Sequence, residues 1–580
     1  MVERHATYPV GIRWAVRIPL RDCVKLSGVL FEPSCSFPPG PTIVLITPYM
    51  ADTYHERGMY FAKHGLRFLV VDSRGRGNSD GTFFPMLQEA EDGYDIVEWV
   101  ASQSFSNGKV AMWGGSYGGY AQWATAKEFP PHLATIVPVA SPYFGVDFPF
   151  RGNIFYPYLI QWMTLTGWRS YQKQCFEDNA FWAEKFHDWD ESGTPFCRLD
   201  ERVCGRLPAF QEWISHPEPD AYWDRFNPTA AEHRRINIPI LTITGSFDDD
   251  QPGALQYYKE HMKHGSGEGR GRHYLVIGPW NHAGTRTPAR EVGGLKVGEA
   301  SVIDLSGLHR AWYEWVMSGG PKPEFLARAV AYYVVGAERW RYADALEDAT
   351  ARYQVLYLDS RGAANDVFAA GMLATEPGGG PPDSYTYDPA ARSRPELRAQ
   401  QNVDPFSLVD QRIVLALSGR LFVYQTAPFD EDLEITGFFR LTLWIAIDTP
   451  DTDFYAAVYD IGEDGTVTRL STDAMRARYR KGWRKPELVG TRSPLRYDLT
   501  GFTFISIVVR RGHRLRLVIS PVGQLVESSF VQKNYNSGAV VAQESIQDAR
   551  TTTVTLFHDA THSSALHVPI GRPAEDCHFN

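Results

Sequence analysis

Long apolar runs are missing from this sequence: none approaches the roughly 18 residues that read as a membrane span. The opening MVERHATYPV has no apolar stretch of the signal-peptide kind, so a cytoplasmic product is expected. Basic charge is in deficit, with 58 Lys and Arg against 68 Asp and Glu and a formal net charge of −10. A nucleic-acid partner, which usually calls for a basic face, is therefore not expected. The six cysteines (Cys23, Cys35, Cys175, Cys197, Cys204, Cys577) form no CxxC pair and no zinc-type spacing with histidine. Isolated reduced thiols are expected, and no metal. Cys197 and Cys204 are the one tempting pair, and a reducing compartment disfavours a disulfide there. Heptads and internal repeats are absent as well. Neither G-x-G-x-x-G nor the P-loop pattern follows a strand, so glycine-rich phosphate binding is not indicated.

What is present is a globular composition, 43% apolar and 22% charged, on a chain of 580 residues that exceeds a single core. In the first third, TIVLIT (42–47), LRFLVVD (66–72), KVAMW (109–113) and ATIVPVA (134–140) are continuous apolar runs. Such runs suit strands buried on both faces of a parallel sheet. Between them, EAEDGYDIVEWVASQ sets Tyr94, Val97, Val100 and Ala101 on one helical stripe. This βαβ rhythm predicts an α/β fold with right-handed crossovers.

The rhythm stops after Pro142, where a stretch to about Asn227 is rich in Trp, Tyr and Phe and poor in strand signals. It reads as a helical insertion packed over one end of the sheet. Strand signals resume at IPILTITGSFDDD (238–250) and HYLVIGPWNH (273–282). Beyond about Ala345, YQVLYLD, RLTLWIAID, DFYAAVYDI, FTFISIVV and RLRLVIS read as strands without intervening helices, a β-sandwich of jelly-roll kind. EPGGGPPDSYTYDP (376–389) reads as an irregular surface loop. The expected units are an α/β domain in two parts, 1–143 and 236–345, a helical cap at 144–235, and a C-terminal jelly roll at 346–580.

The stretch AMWGGSYGGYAQW (111–123) places Ser116 between glycine pairs, after an apolar strand and before a helical segment. That is the context of the G-x-S-x-G elbow, in which a strained turn exposes a nucleophile and Gly114 and Gly118 supply the missing bulk. A serine hydroxyl is a poor nucleophile alone and needs a base with an orienting acid. In such a fold these follow at the ends of later strands. His282 ends the GPWNH run, and Asp248 is the first acid to leave the ILTIT strand, followed at once by Asp249 and Asp250. Asp250 precedes Gln251-Pro252 and can equally cap the next helix. An oxyanion hole needs two donors. One should be the Tyr117 N–H; for the other, Pro48 has no N–H to give, which makes the Tyr49 hydroxyl an attractive donor, with a tyrosine merely packed at the strand end as the alternative.

Together these residues resemble the cocaine esterase and X-Pro dipeptidyl-peptidase (CocE/NonD) family of serine hydrolases, which includes the α-amino acid ester hydrolases. The matching pieces are TPY (47–49), DSRGRGNSDG (72–81), GGSYGG (114–119), GSFDD (245–249) and GPWNH (278–282). DTPDTDFYAAVYDI (448–461) and RARYR (476–480) are similar to the family's C-terminal domain. The resemblance implies a hydrolase domain, an inserted helical cap and a jelly roll that closes the site. It implies Ser116 as nucleophile, Asp248 as acid, His282 as base, and Tyr49 with Tyr117 as the oxyanion hole. It implies no cofactor.

Members that recognise a substrate ammonium use acids two and three residues after the catalytic aspartate and one near the cap. This chain has Asp250 at the first place, Gln251 at the second and Asp147 near the third. Cocaine esterases carry an aromatic where Asp250 stands. The expected function is hydrolysis of a small acyl ester or amide through an acyl-enzyme, with cap aromatics such as Trp162 walling an apolar pocket. The alternatives are an X-Pro dipeptidyl peptidase, acyl transfer to an acceptor other than water, and a silent hydrolase-fold binding protein. Homo-oligomerisation is left open.

Overall fold

The computed structural model describes residues 7–34, 37–391, 407–410, 419–522 and 531–572. The chain opens with two strands that the run analysis did not single out, β1 (Val10–Pro19) and β2 (Lys25–Pro33), an antiparallel pair with a register shift between Arg13 and Val16. The four apolar runs follow as β3 (Gly40–Thr47), β4 (Arg67–Asp72), β5 (Ser106–Gly115) and β6 (Leu133–Val139). The short hairpin β7 (Phe150–Arg151) and β8 (Ile154–Phe155) comes next, then β9 (Ile240–Gly245) and β10 (His273–Gly278). A second short hairpin, β11 (Glu291–Val292) and β12 (Leu295–Lys296), precedes β13 (Val330–Val334) and β14 (Arg339–Ala343).

Ten of these strands make one sheet in the order β1-β2-β4-β3-β5-β6-β9-β10-β13-β14. The run from β4 to β13 is parallel and the outer strands are antiparallel. Period-two alternation decides which face each side chain meets. Ile43, Leu45, Ala111 and Trp113 join one core beneath helices α1 (His55–Lys63) and Leu305–Ser318. Val44, Ile46, Val110 and Met112 join the other, under α2 (Glu89–Ala101), α3 (Tyr117–Ala126) and Gln251–His264. The fully buried face of α2 runs through Gly93, Ile96, Val97 and Val100, whereas Tyr94 and Ala101 are only partly buried, one position off the expected stripe. Residues 43–46 are all buried, each contributing roughly 1.5–3 kcal/mol, against about 0–1 kcal/mol for a surface ion pair. Burial of these runs therefore holds the centre of the sheet.

Between β6 and β9 the chain forms the hairpin β7–β8 and a set of helices, among them Tyr158–Leu165, Asn179–Ser192 and Pro208–Ile214. Their aromatics, including Trp162, Trp182, Trp213 and Trp223, build a core of their own that also takes in Tyr117 and Tyr120 of α3. Trp168, by contrast, is 89% exposed, and Tyr158 is 39% exposed.

The five alternating runs beyond Ala345 are strands, part of a thirteen-stranded β assembly over the described residues. The stretch 376–389 is not all loop: Asp383–Tyr387 pairs antiparallel with Thr552–Phe557. Its Asp, Tyr and Tyr point inward in alternation, a pattern hidden in the sequence by the flanking prolines and glycines. The fold is an α/β hydrolase with an inserted helical cap and a C-terminal jelly-roll sandwich. Cys23, Cys175, Cys197 and Cys204 are free thiols, and Cys35 and Cys577 lie outside the described residues. Among the described residues no helix is long and apolar enough to cross a membrane.

Candidate active site

Ser116 joins β5 to α3 with φ 59 and ψ −121, a left-handed φ that a non-glycine residue adopts only at a cost. Its N–H donates to the Val139 and Ala140 carbonyls at 2.9 and 3.1 Å, tying the turn to the end of β6. The neighbouring glycines are demanded by close approach. A Cβ at Gly118 would stand 2.9 Å from Leu45 Cδ1, and one at Gly119 would stand 2.2 Å from Ser141 Oγ. The Tyr117 N–H lies in the first turn of α3, where amides have no intrahelical acceptor. The Tyr117 side chain faces away into the cap core, where its hydroxyl donates to Glu89. Burial pushes the Glu89 carboxyl up to about 7.

His282 and Asp248 leave adjacent strands. His282 Nδ1 is 2.8 Å from Asp248 Oδ1, and Asp248 also accepts from the Thr244 hydroxyl and the Asp250 N–H, each at 3.1 Å. The Asp248 side chain has no exposed surface, while that of His282 is 34% exposed.

Asp250 occupies the N-cap position of Gln251–His264 but its side chain caps nothing, which corrects the helix-capping expectation. Asp147 does that work instead. It reaches in from the cap side and accepts from the Gly253 N–H at 2.5 Å and the Tyr143 N–H at 2.8 Å. With the capping acid supplied by another segment, the Asp250 carboxylate turns to the site, 3.7 Å from His282 Nδ1. Burial, then Asp147, Asp248 and Asp249, hold its carboxyl well above the usual range. Gln251 faces the domain boundary: its amide bonds Gly245 O and Phe504 O, and its Oε1 accepts from Phe504 N–H at 2.7 Å.

Tyr49 sits in the loop after β3, and its hydroxyl accepts from Trp162 Nε1 at 3.0 Å. Burial raises its pKa, so the hydroxyl keeps its proton at neutral pH. With a lone pair occupied by the indole N–H, that proton is free to point elsewhere. Trp162 thus orients Tyr49 as well as walling the cavity, a link across 113 positions that no spacing rule reveals.

Ser116, Tyr49, Trp162, Asp250 and His282 line one cavity of about 480 Å³. The hairpin β7–β8 contributes Arg151 and Ile154, and the C-terminal domain contributes Tyr455, Thr472 and Asp473. Sequence reading did not name Arg151, Asp473 or Arg286; no motif or spacing marks them, and only tertiary packing brings their segments together. Among the described residues no group of three or more His, Cys, Asp or Glu is placed to hold a metal ion.

The X-Pro dipeptidyl-peptidase (S15 family) domain matches residues 22–284, and the X-Pro dipeptidyl-peptidase C-terminal non-catalytic domain matches residues 325–565. A cocaine esterase from Rhodococcus sp. (strain MB1 Bresler) is 25% identical over 586 aligned positions, covering 96% of this chain and 98% of that one. Among solved structures, an aminopeptidase from a marine sediment archaeon, Thaumarchaeota archaeon, superposes with a TM-score of 0.81 at 21% identity, covering 99% of this chain and 98% of that one. An α-amino acid ester hydrolase gives the same TM-score and identity over 98% of both chains.

Proposed function

The chain belongs to the cocaine esterase and X-Pro dipeptidyl-peptidase family of serine hydrolases, and on that premise we propose that Ser116, His282 and Asp248 are its catalytic triad. The family acts on esters or amides as a serine hydrolase. The observation that carries the assignment is the 2.8 Å contact with the buried Asp248 made by His282, which lines one cavity with the strained Ser116. Asp248, accepting at Nδ1, fixes the tautomer that leaves Nε2 as the base.

In the proposed reaction His282 takes the Ser116 proton as Oγ attacks an acyl carbonyl. The Tyr49 hydroxyl and the Tyr117 N–H receive the developing oxyanion, and Trp162 holds Tyr49 in place from the far side. The acyl–leaving-group bond breaks, and the leaving group departs with the proton from His282. Water, deprotonated by His282, then releases the acid and regenerates Ser116. The aromatic wall of the cap suits a small, largely apolar acyl group. The domain limits at 1–143 with 236–345, 144–235 and 346–580 belong to this same reading.

Ser116→Ala tests it. The variant is expected to fold as the parent does and to lose hydrolysis of phenyl and nitrophenyl esters by at least about 10³-fold, since binding and the oxyanion donors alone retain only residual catalysis. Turnover at the parent rate would overturn the assignment.

A further inference from the structure

A second cavity of about 270 Å³ adjoins the first, and the two share Arg151, Asp249, His282 and Thr472. Aromatics wall the first. The second has a larger share of polar residues, among them Arg286, Arg469, Ser246 and Asn281, beside apolar Val292 and Leu470.

Arg286 is the telling residue. Its guanidinium lies against Gly115, the residue before Ser116, so closely that a Cβ there would stand 2.4 Å from a guanidinium nitrogen. The side chain is half-buried, and among the described residues it donates no hydrogen bond and forms no ion pair. It attracts Asp250 across the site without pairing with it. Arg151, by contrast, spends its guanidinium on the Thr472 and Gly501 carbonyls at 2.6 and 3.0 Å. Ser246, only 3% exposed, also lines this cavity, and among the described residues its hydroxyl has no partner. The acids on this side are Asp248, engaged by His282, and Asp249 on the shared rim. A buried hydroxyl and an unmatched planar fork of donors, set beside a nucleophile turn, form a site for a planar anion.

The position gives the anion its place in a substrate. A general base that returns its proton to the departing atom must have the leaving group on its own side, and this cavity is lined by His282 but not by Ser116. We infer that the second cavity is a leaving-group subsite for a carboxylate, held by the Arg286 guanidinium and the Ser246 hydroxyl. The substrate class is then acyl esters or amides of hydroxy acids or amino acids with a free carboxylate. This rests on the assignment of Ser116 and His282.

The test compares the phenylacetyl ester of para-hydroxybenzoate with that of its neutral counterpart, para-hydroxybenzamide. Arg286→Gln should lower the kcat/KM ratio of the carboxylate ester over the amide-bearing one by about 10–100-fold, mainly through KM. Arg286→Lys should retain part of the preference, and Ser246→Ala, which leaves the guanidinium untouched, should lower the same ratio. An unchanged ratio in Arg286→Gln, with both esters affected alike, would overturn the proposal. A second measurement does not depend on the nucleophile: calorimetric binding of para-hydroxybenzoate to Ser116→Ala protein. It should be weakened at least about tenfold when Arg286→Gln is added. Equal binding by the two proteins, or none by either, would also overturn the subsite, whatever the fate of the Ser116 assignment.

Discussion

Asp147 accepts the Gly253 N–H at 2.5 Å, so an acid from the cap side caps the helix that Asp250 opens. The consequence is chemical. A helix whose capping acid comes from elsewhere leaves its own N-cap carboxylate free to face the cavity, and Asp250 does so beside His282. On the proposed reading the acids around the base divide their tasks: Asp248 would orient His282 and Asp250 would meet the substrate, while Asp147 anchors the helix.

That division predicts the effect of Asp250→Asn. A substrate ammonium would compensate a buried carboxylate that its acidic neighbours disfavour. The variant should raise KM for α-amino esters relative to the matched desamino esters by about tenfold or more, the value of one charge-assisted bond. Steady-state kinetics on paired substrates read this directly. Equal change on both classes would instead tie Asp250 to His282 alone.

Asp248→Asn keeps the shape beside His282 but presents a donor or a weaker acceptor to Nδ1. Loss of the correct tautomer in a Ser-His-Asp set costs about 10⁴-fold in kcat. The expected result is a fall of that order with KM little changed, measured on an aryl ester. A loss below tenfold would remove Asp248 from the role.

Tyr49→Phe deletes a proposed oxyanion donor and should cost about 10²–10³ in kcat. Trp162→Phe keeps an aromatic wall but removes the N–H that holds the Tyr49 hydroxyl, so a smaller loss of about 2–10-fold is expected. Because Trp162 acts through Tyr49, its effect should vanish in the Tyr49→Phe background. Full additivity in the double variant would show that Trp162 acts independently.

Three buried histidines, His233, His261 and His273, meet around Trp123 of α3, with His261 Nδ1 2.9 Å from His273 Nδ1. Burial lowers all three, His233 to about 3. An unfolded histidine titrates near 6.5, so on acidification the unfolded chain takes up protons that the folded chain refuses. The contribution of each is fully present above about pH 6.5 and is lost as pH falls toward its folded value, about 3 for His233. The raised Glu89 and Asp147 carboxyls, each near 7, act with the opposite sign over pH 4–7, so the net curve is not diagnostic. The difference between parent and His233→Phe is. The variant should gain relative stability by about 1.4 kcal/mol per pH unit from roughly 6.5 down to 4 in denaturant titrations. A pH-independent difference would contradict the account.

The sheet and the placement of Ser116, Asp248 and His282 were legible because each follows an apolar strand, and burial of such strands is a local pattern. Gln251 was legible only as a departure from an acidic residue. Its task, pinning Phe504 of the C-terminal domain, lies 253 positions away. The capping by Asp147, the bond from Trp162 to Tyr49 and the packing of Arg286 against Gly115 are likewise tertiary contacts. Periodicity does not encode them. The strand Asp383–Tyr387 was obscured for another reason: it follows a run of glycines and prolines that outweighed five residues of alternation.

The central claim is that Ser116 is the nucleophile, and covalent labelling by a fluorophosphonate with intact-mass and peptide mapping tests it most directly. The account predicts one adduct per chain, on Ser116, formed by the parent and absent from Ser116→Ala. Equal labelling of both proteins, or an adduct on another serine, would contradict it.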